Sequence, residues 1–213
     1  LDKDNYKLFE TEEINKQFPY QYWKSSKGEK ARSGNRYSGV SVWSKLKPNK
    51  IIYNFDDLQE NEGRYLELHF DKFILINVYT PNAGSNWTYR LEQWECLMKK
   101  HLLKLDKENN KPIIYTGDLN IAPTKNDVYF GTLLEHKLKN EIDPKRIKYL
   151  SKKIKSKKSL HDGTSKTVLC GYSKEEKKAH KSLLEQNDLI DCFRSLYPLA
   201  YDKFSWFNIR IKN

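Results

Sequence analysis

The sequence predicts an α/β sandwich built from mixed or mostly antiparallel sheets. Residues 64–70 and 73–79 are alternating or apolar stretches joined by the polar pair Asp71-Lys72, a pattern typical of an antiparallel hairpin. Apolar residues recur at spacings of three and four over residues 88–105, which predicts an amphipathic helix. Hairpins alternating with helices indicate sheets that are covered by helices.

The other elements follow the same pattern. Ser173 and Glu176 have the spacing of a capping box and predict the start of a further helix. Shorter signals predict a helix at 10–16, a strand at 37–44, a short buried strand at 112–115, a buried turn at 190–198 and a strand at 204–211.

Residues 137–168 interrupt this pattern. They contain 11 basic and 3 acidic residues and few large apolar ones, so we expect a surface insertion that is mobile or weakly helical. The chain has a net charge of +11, and 15 of its 39 basic residues fall between positions 137 and 181. The charge alone leaves two interpretations open, nucleic-acid binding and a merely lysine-rich composition, because lysine outnumbers arginine by 32 to 7.

Composition narrows the class of protein. Aromatic residues make up 13% of the 213 residues, which is too many for a chain disordered throughout. Three scattered cysteines without a CxxC pair predict neither a disulfide framework nor a zinc site, and they suit a reducing, intracellular compartment. No apolar run reaches the roughly 18 residues that would span a bilayer.

Two segments carry candidate chemistry. The strand at 112–115 leads into the sequence GDLN, where Asp118 could accept a proton or bind a magnesium ion and Asn120 could orient it or bind a phosphate oxygen. The strand at 73–79 ends at Tyr79 and is followed by PNAG, residues 81–84. An ordinary Asp/Asn turn and a half-buried packing tyrosine are the alternative interpretations. Together the two strand ends offer an acid or base and hydrogen-bond donors, as phosphodiester hydrolysis requires.

The pair of motifs NVYTPNAG and IIYTGDLN resembles the exonuclease III type of apurinic/apyrimidinic endonucleases, in the endonuclease/exonuclease/phosphatase superfamily. Further matching segments are RYSGV at 36–40, EGR at 62–64, the Tyr89, Arg90 and Trp94 set, IDCFRSLYP at 190–198 and FSW at 204–206. The resemblance implies a two-sheet α/β sandwich of the deoxyribonuclease I-like type. It covers nearly the whole chain except the basic insertion.

The resemblance also implies roles for single residues. Tyr79, Asp118 and Asn120 would be catalytic, with Asp118 and Asn120 also near the metal, and Asn82 would bind phosphate. The remaining expected substrate contacts are Tyr37 and Arg64 on the DNA backbone, and Tyr172 and Trp206 in the wall of the pocket for a flipped-out abasic sugar. Plain core packing is the alternative interpretation for the three aromatic residues.

Several family segments have no counterpart in the 213 residues. These are an early strand with an Asn/Asp pair, a QETK-like segment whose Glu holds the metal, and a final Ser-Asp-His triplet; none of the five histidines lies in that context. The position after PNAG is Ser85, where some relatives have an Arg that reaches into DNA. We therefore expect residues 1–213 to be a partial domain, incomplete at both ends and inactive alone.

The expected function of the parent protein is magnesium-dependent hydrolysis, with manganese as a substitute, of the phosphodiester 5′ to abasic sites in double-stranded DNA during base excision repair. Side activities implied by the family are 3′ to 5′ exonuclease and 3′ phosphodiesterase. We expect a monomer without membrane contacts, in the nucleus or a DNA-containing organelle such as the mitochondrion. The alternatives are a catalytically silent nucleic-acid-binding fragment and a phosphatase or phospholipase of the same superfamily.

Overall fold

The computed structural model describes residues 11–26, 38–55, 58, 62–84, 87–161 and 170–205, without the side chains of residues 130 and 156–161. The chain divides into two compact units, residues 1–120 and 121–213. The first unit contains these elements: α1 (Glu12–Gln17), β1 (Tyr20–Ser25), β2 (Gly39–Ser44), β3 (Lys50–Ile52), β4 (Tyr65–His69), β5 (Ile74–Tyr79), a π-helical turn (Tyr89–Trp94), α2 (Glu95–Asn109) and β6 (Ile113–Asp118).

The strands of the first unit form two sheets. β1 and β2 pair as an antiparallel ribbon, and the second sheet has the order β3-β4-β5-β6. The predicted hairpin is confirmed, because β4 and β5 pair antiparallel with Tyr65 opposite Val78 and His69 opposite Ile74. β6 then returns parallel to β5, after the crossover through α2 that a parallel pair requires.

The four-stranded sheet has two buried faces. Alternate residues of β4, Leu66 and Leu68, pack with Phe70 against Val40 and Val42 of the ribbon. The opposite face is apolar in β5, where Ile74, Ile76 and Val78 are buried, and polar in β4, as described below. Because strand side chains alternate between faces, the hydrophobic pattern predicted the shared face of Leu66, Leu68 and Phe70.

α2 buries a stripe formed by Met98, Leu102 and Leu105, the spacing from which the helix was predicted. The helical segment starts one turn before α2 in π-helical geometry, where the Glu95 N–H donates to the Arg90 carbonyl five residues back. The helix prediction was therefore correct in place, and the sequence pattern did not reveal the wider turn.

The second unit is helical where the structure describes it. Its elements are a 3₁₀ turn (Lys125–Asp127), a π-helical turn (Tyr129–Leu133), α3 (Leu134–Lys139), α4 (Pro144–His161), α5 (Lys174–Gln186) and α6 (Cys192–Leu196). The predicted capping box is confirmed, since the Ser173 hydroxyl accepts from the Glu176 N–H and the Glu176 carboxylate accepts from the Ser173 N–H. The insertion predicted at 137–168 contains α4, a helix of 18 residues.

Two predictions about burial were wrong. The strand at 112–115 is longer, Ile113–Asp118, and it is not buried, since Ile114 is 46% exposed. An apolar run indicates a strand but not whether both of its faces are covered. The predicted buried turn at 190–198 instead contains the short helix α6, Cys192–Leu196, and Leu196 is 72% exposed. The predicted strand at 204–211 lies almost wholly outside the described residues.

Composition also gave expectations for the cysteines and for membrane-spanning segments. Cys96, Cys170 and Cys192 are free thiols, as their separation in sequence predicted. Among the helices of the described ranges, none combines the length and the apolar character needed to cross a membrane.

Candidate phosphodiesterase site at the ends of β5 and β6

The candidate site lies at the side of the sheet where β5 and β6 end and the antiparallel β4 begins. Tyr79 is the register partner of Asp118 in the parallel β5–β6 pair, and the Thr80 N–H donates to the Asp118 carbonyl at 2.8 Å. On the other side, the Tyr79 N–H donates to the carbonyl of Arg64, which precedes β4, at 2.9 Å. Arg64, Tyr79 and Asp118 thus form a row about 10 Å wide, given strand spacings of about 4.8 Å.

Arg64 holds the Tyr79 side chain. Its guanidinium carbon lies 4.5 Å from the centre of the Tyr79 ring, and its Nη1 donates to the Tyr79 carbonyl at 3.1 Å. Arg64 also forms an ion pair with Glu62 and is only 8% exposed. A buried guanidinium over a ring face is a stabilising cation–π contact, so Arg64 orients the phenol. Its expected contact with a DNA phosphate stays a prediction.

Asn82 links the two loops of the site. Its Oδ1 accepts from the Gly84 N–H at 2.9 Å, a turn in which an asparagine side chain binds the backbone two residues on. Its Nδ2 points to the Oδ1 of Asn120 at 3.5 Å. The exposed carboxamide of Asn82 therefore lies beside the GDLN loop.

Asp118 and Asn120 are fixed by the turn after β6. The Asn120 N–H donates to Asp118 Oδ1 at 2.9 Å, and Asn120 Nδ2 donates to the Thr80 carbonyl at 2.7 Å. Asn120 has a left-handed backbone with φ of 46°, which asparagine tolerates better than most residues. The Asp118 carboxylate is exposed, with one oxygen engaged by the backbone. The structure thus brings together Tyr79, Asn82, Asp118 and Asn120.

Gly117 determines how β6 enters this turn. Its φ is 114°, and a Cβ at this position would lie 2.0 Å from the Val78 carbonyl oxygen. Only glycine fits so close to the neighbouring strand. In the Gly-Asp pair of the motif, Gly117 thus meets a requirement of the backbone, whereas Asp118 provides the functional group.

Sequence reasoning assigned no role to two residues that support the site. Arg90 is 1% exposed; its Nη2 donates to the Leu119 carbonyl at 3.3 Å and pairs with Glu95 at 2.9 Å. Thr80 supplies the carbonyl that holds the Asn120 side chain. Both residues lie in segments that match the family, Arg90 in the Tyr89, Arg90 and Trp94 set and Thr80 in NVYTPNAG, and these matches were the available signal. Because Thr80 acts through its carbonyl, its side chain did not indicate this role.

The remaining predicted site residues are not placed at this edge by the structure. Tyr172 belongs to the second unit, where it is buried with Lys177 Nζ 3.1 Å from its ring centre. Burial, and to a lesser extent Asp127, raises the pKa of Tyr172. Tyr37 and Trp206 lie outside the described residues. The pocket roles of all three stay predictions.

Asp118 and Asn120 provide the hard oxygen donors that a divalent cation prefers. Within the described ranges, however, no three His, Cys, Asp or Glu side chains converge on a point that could hold a metal. Magnesium is commonly bound by one or two protein carboxylates, and water and substrate phosphate complete its coordination. One carboxylate and one carboxamide therefore fit a part of the ligands of a magnesium ion.

Comparison with known proteins identifies the family. Residues 3–162 match the Endonuclease/Exonuclease/phosphatase family, and the chain belongs to it. The matched range contains the whole strand-end site.

Characterised relatives are nucleases by name. The exodeoxyribonuclease of Bacillus subtilis (strain 168) is 30% identical over 178 residues, which is 82% of this chain and 56% of that protein. The DNA-(apurinic or apyrimidinic site) endonuclease of Dictyostelium discoideum is 38% identical over 97 residues, 43% of this chain and 26% of that protein. The chain thus spans little more than half, or less, of these relatives.

Solved structures support the fold. A 3′-5′ exonuclease from Neisseria meningitidis superposes on 99% of this chain and 66% of its own, with a TM-score of 0.62 and 20% identity. An AP endonuclease from Archaeoglobus fulgidus covers 97% of this chain and 65% of its own, with a TM-score of 0.58 and 18% identity. The predicted deoxyribonuclease I-like α/β sandwich is confirmed.

Proposed function

We propose that the natural protein is a DNA-repair nuclease that hydrolyses the phosphodiester 5′ to abasic sites in double-stranded DNA. The observation that carries this proposal is the convergence of Tyr79, Asn82, Asp118 and Asn120 at one sheet edge in a member of the Endonuclease/Exonuclease/phosphatase family. The names of the relatives, an abasic-site endonuclease and an exodeoxyribonuclease, support DNA as the substrate.

Each side chain has a role that its position allows. Asp118 receives the proton of the attacking water, since its exposed carboxylate keeps one oxygen free of backbone bonds within the described structure. Asn82 and Asn120 each carry two amide N–H groups, of which one is directed at the neighbouring loop, so the other can donate to the phosphate oxygens on which charge develops. The Tyr79 hydroxyl, held by Arg64, donates near the phosphate or the leaving oxygen.

Asp118 and Asn120 would also contribute to holding a magnesium ion, with manganese as a substitute. When bound, such an ion neutralises charge on the phosphate. The metal requirement has its own test, which is abolition of incision by EDTA and restoration by added Mg²⁺. Incision that persists in EDTA would refute it.

The test of the substrate is incision of a duplex oligonucleotide with one tetrahydrofuran abasic analogue by the full-length natural protein. We expect one cut 5′ to the analogue with the opposite strand intact. Asp118→Asn should reduce the rate by roughly 10²–10⁴-fold, the usual contribution of a positioned base. Asp106→Asn is the matched control, an exposed carboxylate of α2 outside the site, and should retain the rate. Equal cleavage of undamaged duplex would refute the abasic-site proposal.

Two further activities are proposed from the relatives. A 3′ to 5′ exonuclease activity would shorten a recessed 3′ end, and a 3′ phosphodiesterase activity would remove a blocking group there. Both use the same phosphoester chemistry, so Asp118→Asn should reduce them in parallel with incision. Loss of incision alone would assign them to other residues.

The alternative of a silent nucleic-acid-binding protein has one observation in its favour, the absence of a three-residue metal cluster from the described ranges. Tight duplex binding by the full-length protein, with no incision under any divalent cation, would establish that alternative.

A further inference from the structure

The second unit contains a strongly basic helix that the strand-end site does not use. α4 carries eight basic residues and no acidic residue in 18 positions. The other long helices of the described ranges mix the two charges, as α5 does with Glu175, Glu176 and Glu185 among its lysines. The basic character of α4 is therefore specific to this helix within a lysine-rich chain.

One side of α4 is packed against its own unit. Leu150 is 7% exposed, and Ile154 is half-buried beside it. Lys153 belongs to this packed arrangement, because its Nζ lies 5.5 Å from the ring centres of both Tyr129 and Tyr149. Arg146 pairs with Glu141 at 3.2 Å. These contacts hold the helix in one orientation.

The opposite side carries a row of four exposed lysines, which we call the lysine row: Lys145, Lys148, Lys152 and Lys155. At 3.6 residues per turn these four positions fall within roughly 80° of the helix circumference, away from Leu150 and Ile154. In the part of the chain that the structure describes, none of the four has an ion-pair partner. Their positive charges thus face outward together.

The spacing of the lysine row suits a nucleic-acid backbone. Ten residues of α-helix rise about 15 Å. Phosphates of one strand advance about 3.4 Å each along a duplex, so the row spans about four of them. An anionic membrane is less suitable, because surface-bound helices insert a broad apolar face, whereas the buried Leu150 of α4 is already packed within its own unit.

We propose that the lysine row binds the phosphate backbone of duplex DNA, without base selectivity, as a binding surface built from residues separate from the strand-end site. The proposal deepens the proposed nuclease function, on which it rests for the identity of the ligand. It assigns the basic insertion the role of sequence-independent attachment, which depends on salt through counterion release.

The experiment compares salt dependence in two charge-matched variants of the full-length protein. One variant replaces the lysine row with glutamine. The control replaces four exposed lysines of the first unit with glutamine: Lys72 in the β4–β5 turn, and Lys100, Lys104 and Lys107 of α2, a helix that also carries acidic residues. Binding of an undamaged, labelled duplex is measured by fluorescence anisotropy with EDTA present, between about 50 and 300 mM salt.

We expect the slope of log K against log salt to become shallower by roughly 2 to 4 in the lysine-row variant, since each lost phosphate contact removes about 0.9. The control should keep the wild-type slope. Replacing the same four lysines with arginine should also keep it, because the charge is retained. Glutamine and lysine have similar helix propensities, and circular dichroism checks that the helix remains.

Equal slopes in the two glutamine variants would overturn the proposal. So would loss of binding to phosphatidylserine vesicles, in the lysine-row variant alone, with unchanged DNA binding. The assay measures binding and requires no incision, so the salt slopes can be interpreted even if the protein proves not to be a nuclease. Conversely, normal incision with an unchanged salt slope would refute only the role of the lysine row.

Discussion

Replacing Glu67 with glutamine should destabilise the first unit, because this carboxylate is the centre of a buried polar cluster on β4. We call Tyr65, Glu67, His69 and His101 the Glu67 cluster. Glu67 is 0% exposed and accepts hydrogen bonds from the Tyr65 hydroxyl, from His69 and, at 2.7 Å, from Nε2 of His101. Phe55 stacks on the His101 ring at 4.2 Å and closes the cluster.

The magnitude follows from the number and kind of these bonds. Glutamine has nearly the same shape, but its amide replaces one acceptor with a donor that faces other donors. Hydrogen bonds to a charged group contribute about 1.5–3 kcal/mol each, and the imidazoles can compensate in part by changing tautomer. We therefore expect Glu67→Gln to lower the free energy of unfolding by about 2–3 kcal/mol at neutral pH.

The pH dependence gives a second, independent readout. Burial alone would raise the pKa of Glu67, but hydrogen bonds donated by His101, Tyr65 and His69 outweigh burial and hold the pKa below its ordinary value. A carboxyl with a lowered pKa in the fold contributes stability above its unfolded pKa, about 4.3 for glutamate, and loses it as the pH falls through the folded value. The difference between wild type and Glu67→Gln should therefore shrink below about pH 4.3.

The assay is urea unfolding followed by tryptophan fluorescence at a series of pH values. Glu92→Gln is the control, an exposed glutamate in the π-helical turn, and should change the unfolding free energy by less than about 0.5 kcal/mol. The reasoning is refuted if both variants unfold at the same urea concentration at neutral pH. A difference that stays constant into acid would contradict the assigned pKa.

Three further substitutions test other parts of the structure by thermal or urea unfolding. Gly117→Ala should lower the free energy of unfolding by about 3 kcal/mol or more, because the new Cβ would clash with the Val78 carbonyl oxygen. Wild-type stability of this variant would contradict the positive φ and the close approach of Gly117 to β5. Leu102→Ala should cost about 2–5 kcal/mol by leaving a cavity under α2, and a loss below about 1 kcal/mol would place this side chain outside the core. Ser173→Ala should cost about 1 kcal/mol and Ser173→Gly less; equal losses would argue against the cap.

The elements that sequence reasoning located are those in which local pattern and tertiary environment agree. The β4–β5 hairpin has alternating apolar residues that fill a real interface between the sheets, so its register followed from the pattern. Ile114 shows the limit. An apolar run indicates a strand but not how many of its faces are covered, and in the described structure Ile114 is half exposed.

The candidate site was predicted in its main residues because they come in contiguous motifs at strand ends. Tyr79, Asn82, Asp118 and Asn120 lie in two short segments, and the parallel pairing of β5 with β6 brings those segments together. The Glu67 cluster could not be found in this way. In the sequence, Glu67, His69 and His101 look like ordinary surface residues. Only the packing of His101 from α2 against β4 shows that the three side chains are buried together.

Arg90 shows why the support of the site also escaped prediction. The apolar spacing of Leu91, Trp94 and Met98 predicts a regular α-helix, in which residues five apart do not face each other. The π-helical turn changes this, because its hydrogen bond runs from Glu95 to Arg90, and the side chains of the same two residues form a buried ion pair. The guanidinium is thereby directed at the Leu119 carbonyl within the GDLN loop. The irregular turn thus connects the helix to the GDLN loop, so a change in its helical register would reach Asp118 and Asn120 without altering either residue.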